Sequence, residues 1–176
     1  MGTPTAGGPP GHVPTSGGLP GGGPAGAVPW AGVTDPPSVH PHPARGIDHV
    51  GVVVADLVGT TRFYVEELGM VPDGEPVELA DRGVRVQFLR AGADRLELLQ
   101  PTTADGPLAR FLARRGEGLH HVCLEVEDIH GAVERLHARE VRMADDAPWR
   151  SPHGWAAFLH PAAAHGCAIE LREHYR

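Results

Sequence analysis

"GLHHVCLEVEDI" (118–129) and "GIDHVGVVVADL" (46–57) superimpose without a gap. His121 falls on His49, Val122 on Val50, Val126 on Val54, Asp128 on Asp56 and Ile129 on Leu57. Each stretch runs from a histidine through apolar residues of strand length to an aspartate suited to cap a helix. One chain thus writes the same strand and helix start twice, with a histidine at the same place.

The context of each copy extends the match. After the first, "DLVGTTRFYVEELG" (56–69) predicts a helix with Asp56 as N-cap, Leu57, Tyr64 and Leu68 on one side, and Gly69 as terminator. "PVELA" (76–80), "VRVQFLRA" (84–91) and "DRLELLQ" (94–100) then read as an antiparallel meander. A linking helix is expected within about 104–116, where Pro107 starts it, Leu108, Phe111 and Leu112 share a face, and Gly116 follows its basic last turn. The second copy continues into "DIHGAVERLHARE" (128–140), a helix with Ile129, Ala132, Val133 and Leu136 on one stripe. "VRMA" (141–144), "GWAAFLHP" (154–161) and "CAIELRE" (167–173) supply its remaining strands. The fold class is therefore α+β, built from two paired βαβββ modules, about 47–100 and about 118–172, within one domain spanning 44–176. Neither half has enough core alone, so the copies should share one.

Residues 1–43 have a different character, with eleven Gly, eleven Pro and Asp35 as the only charged side chain. Such a segment is expected to be disordered and partly polyproline-like. It has neither the basic start and apolar run of a signal peptide nor a transit peptide's arginines, so a cytoplasmic protein is expected. No stretch has the length of a membrane span.

The net charge is −7, the sequence contains no lysine, and only nine residues are aromatic. This balance argues against a nucleic-acid surface. Absent lysine excludes Schiff-base chemistry, leaving carboxylates, histidines, thiols or a metal to carry catalysis. The two cysteines, Cys123 and Cys167, read as buried free thiols.

Each half also places a glutamate on its last strand: Phe88-Leu89 is followed by Glu97-Leu98, and Phe158-Leu159 by Glu170-Leu171. The offsets between halves are 70 and 73 residues, against 72 for the histidines. A single strand histidine or glutamate is commonly a hydrogen-bonded bystander. A matched set of four is different, because an ionised carboxylate among Leu and Ile is costly to bury without a partner. His49, Glu97, His121 and Glu170 form a mixed N/O set suited to a divalent ion such as Co, Mn, Ni, Fe or Zn. His120 should lie on the opposite face of the strand from His121 and serve a supporting role, while Cys123 shares the face of His121, where it could line the pocket but reads as packing. His160 is either a pocket residue or a turn residue, and His130, His137, His165 and His174 are expected to be solvated, as are His12, His40 and His42 in the Gly/Pro-rich segment.

Taken together, the paired βαβββ units with matched His and Glu resemble the vicinal oxygen chelate superfamily, also called the glyoxalase/bleomycin-resistance fold. Within it, "IDHVGVVVADL", "FYVEELGM", "LELLQPTT" and "LARFLARRGEGLHHVCLEVEDI" are similar to the methylmalonyl-CoA epimerase family, from about Ile47 to Leu171. The resemblance implies metal ligands at His49, Glu97, His121 and Glu170, with Glu97 standing where some members have Gln. It implies an isomerase that inverts the carbon between a carboxylate and a CoA thioester, Glu170 acting as one acid/base group on an acyl-CoA substrate. It also allows a homodimer, although no interface signature is legible.

Two departures stand out. Where members carry a second acid/base Glu, "RGVRVQFL" has Val86; Gln87 lies on the other face, and Glu78 or a water would have to serve instead. The loop before "FLHP" is made bulky by Trp149, Arg150, Pro152, His153 and Trp155. Alternatives within the same fold are a glyoxalase-like or other metal-dependent lyase/isomerase; outside catalysis, a metal-free protein that binds a small molecule such as an antibiotic.

Overall fold

A computed structural model describes residues 44–176. The Gly/Pro-rich segment 1–43 lies outside the described residues. The first half comprises β1 (Ala44–Val53), α1 (Leu57–Glu66), β2 (Val71–Pro72), β3 (Val77–Leu79), β4 (Val84–Ala91) and β5 (Asp94–Pro101). Helix α2 (Pro107–Arg115) links it to β6 (Gly118–Val126), α3 (Ile129–Ala138), β7 (Trp149–Ser151), β8 (Gly154–Leu159) and β9 (Ala168–His174).

All strands join one mixed, curled sheet in the order β2-β4-β5-β1-β6-β9-β8-β7, with β3 pairing on β4. The halves meet where β1 runs antiparallel to β6, and each opening strand pairs in parallel with the last strand of its own half, β1 with β5 and β6 with β9. The α+β duplication expected from the sequence is what forms.

Strand periodicity then sorts the side chains. Val52, Val54, Leu89 and Leu98 turn to the convex side and pack with Leu57 of α1. Val126, Ala157 and Leu171 do the same with Ile129, Ala132 and Val133 of α3. Burying Leu57, Leu89 and Leu98 stabilises the fold by about 1.5–3 kcal/mol for each side chain. Helix α2 instead packs Leu108, Phe111 and Leu112 beside Val53, Val84, Val86, Phe88 and Leu99. The helices start where the repeat places its aspartates: Asp56 accepts from the Val58 and Gly59 amides, and Asp128 from the Gly131 amide.

Two expectations need correction. "VRMA" is not a strand: it makes a single bridge, Met143 to Leu159, because the Val141 amide is still held by the Leu136 carbonyl at the end of α3. The second half takes Trp149–Ser151 as its strand there. Leu68 does not join the apolar side of α1 but is 58 % exposed, because the helix ends at Glu66 and the chain turns away at Gly69, whose φ is 68°. Among the described residues, no helix is long and apolar enough to cross a membrane.

Candidate metal centre

Four sequence candidates, one pair from each half, converge on the concave face. The Nε2 atoms of His49 and His121 are 3.2 Å apart. Glu97 Oε2 lies 3.3 Å from both, and Glu170 Oε2 lies 3.4 Å from His49 and 3.1 Å from His121. All four residues are buried. Donors bound to one first-row ion at about 2.0–2.2 Å sit roughly 3.0–3.5 Å from one another, so this donor set fits a single ion without rearrangement.

Strand register explains the convergence. Glu97 of β5, Gly51 of β1 and His121 of β6 lie in one row across the sheet. His49 of β1, Cys123 of β6 and Glu170 of β9 lie in the adjacent row. Gly51 and Cys123 are equivalent in the repeat, and each is the small residue that lets the other half's histidine lie over its strand. The aromatics obey the same symmetry: Phe88 pairs with Glu97 and meets the His49 ring edge-on at 5.2 Å, while Phe158 pairs with Glu170 and meets His121 at 5.2 Å.

Gly51 therefore matters for space rather than for its backbone angle. A Cβ built there would fall within the His121 imidazole. The variant Gly51→Ala should fold normally by circular dichroism yet bind metal about 10–100-fold more weakly by calorimetry, the range seen when a ligand's support is removed.

A second layer orients the histidines. His49 Nδ1 is 2.6 Å from Asp48 Oδ1, which leaves Nε2 free to face the cavity. Asp48 Oδ2 is 2.6 Å from His174 Nε2, and Arg95 lies 3.5 Å from Oδ1. His121 Nδ1 is 3.1 Å from His120 Nδ1. Contrary to expectation, His174 is thus engaged rather than solvated, and His120 lines the cavity with His121 rather than turning from it. Period-two alternation from Glu170 would have found both His174 and Arg172. Cys123 packs against His49, with burial pushing its thiol up to about 12, whereas Cys167, held in the turn before β9, is exposed rather than buried as expected. His160 is a turn residue whose Nδ1 accepts from the Ala162 amide.

The electrostatics follow from burial opposed by pairing. Burial disfavours charge on Glu97, but hydrogen bonds from His121 and His49 outweigh it and hold the carboxyl at about 2. Burial is likewise outweighed at Glu170, held well below the carboxylate range by the same histidines and by Arg172. Burial would also depress His49 and His121; their carboxylate partners raise both instead.

The sign of the pH dependence follows. Without metal, the imidazolium contribution is complete below the usual histidine value of 6.5 and is lost as pH rises through the raised values. The carboxylate contribution is complete above the usual 4.5 and is lost as pH falls through the lowered ones. This cluster should stabilise the metal-free protein most between pH 4.5 and 6.5. Metal binding must displace the histidine protons, so the rise in Tm on adding Mn should grow from pH 5 to pH 8, as melts with and without the ion would register.

The centre lies in the wall of a cavity of about 670 Å³, lined on the first half by Val77, Leu79, Val86 and Leu99 and on the second by Trp149, His153 and Phe158. Val86 contributes an apolar surface where the resemblance would place a second acid/base group. Glu78 does not replace it: Val77 and Leu79 face the cavity, and alternation turns Glu78 outward. Gln87 is buried on the other face and donates to the Gly74 and Phe88 carbonyls. Across the mouth, Arg82 pairs with Asp145 at 2.9 Å and stacks on Trp149 at 3.8 Å, so the bulky loop is tied to the first half.

Comparison with known proteins agrees with this architecture. Residues 48–158 match the Glyoxalase/Bleomycin resistance protein/Dioxygenase superfamily. The mitochondrial methylmalonyl-CoA epimerase of Bos taurus is 37 % identical over 145 residues, covering 77 % of this chain and 82 % of that protein. The ethylmalonyl-CoA/methylmalonyl-CoA epimerase of Cereibacter sphaeroides is 36 % identical over 130 residues, covering 72 % and 96 %. A solved methylmalonyl-CoA epimerase in complex with methylmalonyl-CoA and NH4+ superposes with a TM-score of 0.71 at 32 % identity, covering 75 % of this chain and 96 % of that one. The duplicated sheet, its four converging donors and these similarities make the chain a member of the glyoxalase/bleomycin resistance protein/dioxygenase superfamily, of the isomerase kind typified there by methylmalonyl-CoA epimerases.

Proposed function

We propose that the protein is a metal-dependent epimerase of methylmalonyl-CoA or a related 2-substituted malonyl thioester. The carrying observation is the convergence of His49, Glu97, His121 and Glu170 on one point in a cavity wall, in a chain similar to proteins named as such epimerases. These four residues would hold a divalent ion of the Co, Mn, Ni, Fe or Zn type. When bound, that ion supplies Lewis acidity that steadies negative charge on a substrate oxygen.

The chain's own groups do the rest. Glu170, which lines the cavity, exchanges the α-proton in this reading, which gives it a dual role as ligand and base. Asp48 and His120 keep the two imidazoles facing inward. Val86, Leu99 and Phe158 give the cavity apolar walls that exclude water. With Val86 unable to carry a proton, the second proton comes from another titratable wall group, Asp73, Glu75 or His153, or from a water. The cytoplasmic setting and the single domain over 44–176 are part of the same proposal.

Val86 is also the observation that favours a second reading, a different metal-dependent lyase or isomerase of this superfamily acting in the same cavity. Proton exchange separates the two. In heavy water, methylmalonyl-CoA should lose its α-proton signal by NMR with metal-loaded protein and keep it with metal-stripped protein. No exchange by protein with bound metal would refute the epimerase reading in favour of the second.

A further inference from the structure

Arg172 breaks the symmetry of the cavity. Two residues after Glu97 the first half has Leu99, and two residues after Glu170 the second half has Arg172; both line the cavity. At this one pair of matched positions, then, the wall is apolar on the first-half side and carries a guanidinium on the second. Arg172 is only 3 % exposed. Its Nη2 donates to Glu170 Oε1 at 2.8 Å, while Nε and Nη1 have no hydrogen-bond partner among the described residues. Ala156 faces it across the β8–β9 pair and leaves it room, and its guanidinium lies 5.8 Å from the Phe88 ring centre.

Neutralising Glu170 needs only the one bond already present. It does not explain two further buried guanidinium nitrogens without acceptors, an arrangement that is costly unless an acceptor arrives. Charge points the same way. Two carboxylates, two neutral imidazoles, one guanidinium and a divalent ion leave one positive charge at the inner end of the cavity, which suits a ligand group carrying one negative charge.

We propose that Arg172 recognises the free carboxylate of the acyl group and thereby selects carboxylated thioesters over neutral ones. It is a positioning and specificity residue, and the thioester part of this inference rests on the epimerase reading above. A guanidinium can meet a carboxylate through two parallel N–H groups, here the second N–H of Nη2 together with Nε or Nη1, which an ammonium cannot do.

The test compares metal-loaded wild type with Arg172→Gln and Arg172→Lys, each first checked for fold by circular dichroism and for metal content. Calorimetry would measure binding of racemic methylmalonyl-CoA, of propionyl-CoA, and of malonate and propionate as free anions. In the expected result, Arg172→Gln weakens methylmalonyl-CoA and malonate by roughly 10–100-fold and leaves propionyl-CoA unchanged, the effect of losing a charge-assisted bond. Arg172→Lys should recover only part of the loss. Equal loss for carboxylated and neutral thioesters, or no loss for malonate, overturns the proposal. If wild type fails to exchange the α-proton of methylmalonyl-CoA but Arg172→Gln still loses malonate, the epimerase reading falls and the anion site stands. If exchange is intact and malonate binding is indifferent to Arg172, the reverse holds.

Discussion

Glu170→Gln should slow α-proton exchange of methylmalonyl-CoA by about 10³-fold, in the middle of the range for loss of a positioned acid/base group. The amide keeps an oxygen that can face His49 and His121, so metal should stay bound, and metal content measured beside the exchange rate separates the two roles given to Glu170. If exchange were to persist at the wild-type rate with metal bound, Glu170 would be a ligand only, and the proton would have to leave by one of the groups on the opposite wall. Arg172 sharpens this experiment. It holds Glu170 Oε1 and leaves Oε2 toward the histidines, so the carboxylate's two oxygens are already divided between a cation and the metal donors.

The second large effect is expected from His121→Ala. It removes one of four donors and should abolish stoichiometric metal binding. It also strips both carboxylates of a partner, since Glu97 and Glu170 each lie within 3.3 Å of His121 Nε2. Breaking a buried, paired network from one side destabilises by about 3–5 kcal/mol. The metal-free variant should show that loss in urea unfolding at pH 6. Glu170 keeps Arg172 and His49 as partners in that variant, so Glu170→Gln added to His121→Ala should cost less than Glu170→Gln alone, and a double-mutant cycle yields the coupling directly. Simple additivity would mean that the histidine and the carboxylate do not sense each other in the folded protein.

The most informative feature for both experiments is the alignment of two 12-residue stretches, because a strand repeats its side-chain direction every second residue. Once two strands are known to be copies, a histidine at one position and its partner 72 residues on must occupy equivalent places, wherever those are. The same holds for Glu97 and Glu170. Local signals also set the helices, through Asp56 and Asp128 at their starts. Such signals were weaker where structure depends on what the chain meets later. "VRMA" is apolar enough for a strand, but it stays attached to the end of α3 and makes one bridge only.

What the sequence determined by itself, then, was the duplication, the α+β character and the identity of four chemically matched residues, since these rest on local periodicity and on comparison of the chain with itself. The tertiary fold joins the halves through β1 and β6, and its register brings Nε2 and Oε2 atoms from four strands to within 3.1–3.4 Å. It alone showed Gly51 as the space for His121, His174 as a partner of Asp48, and Arg172 as a buried cation beside Glu170. The physical reason is that each of these roles is a contact between strands far apart in sequence, where the registers of neighbouring strands, rather than the residue's own neighbours, set what a side chain touches.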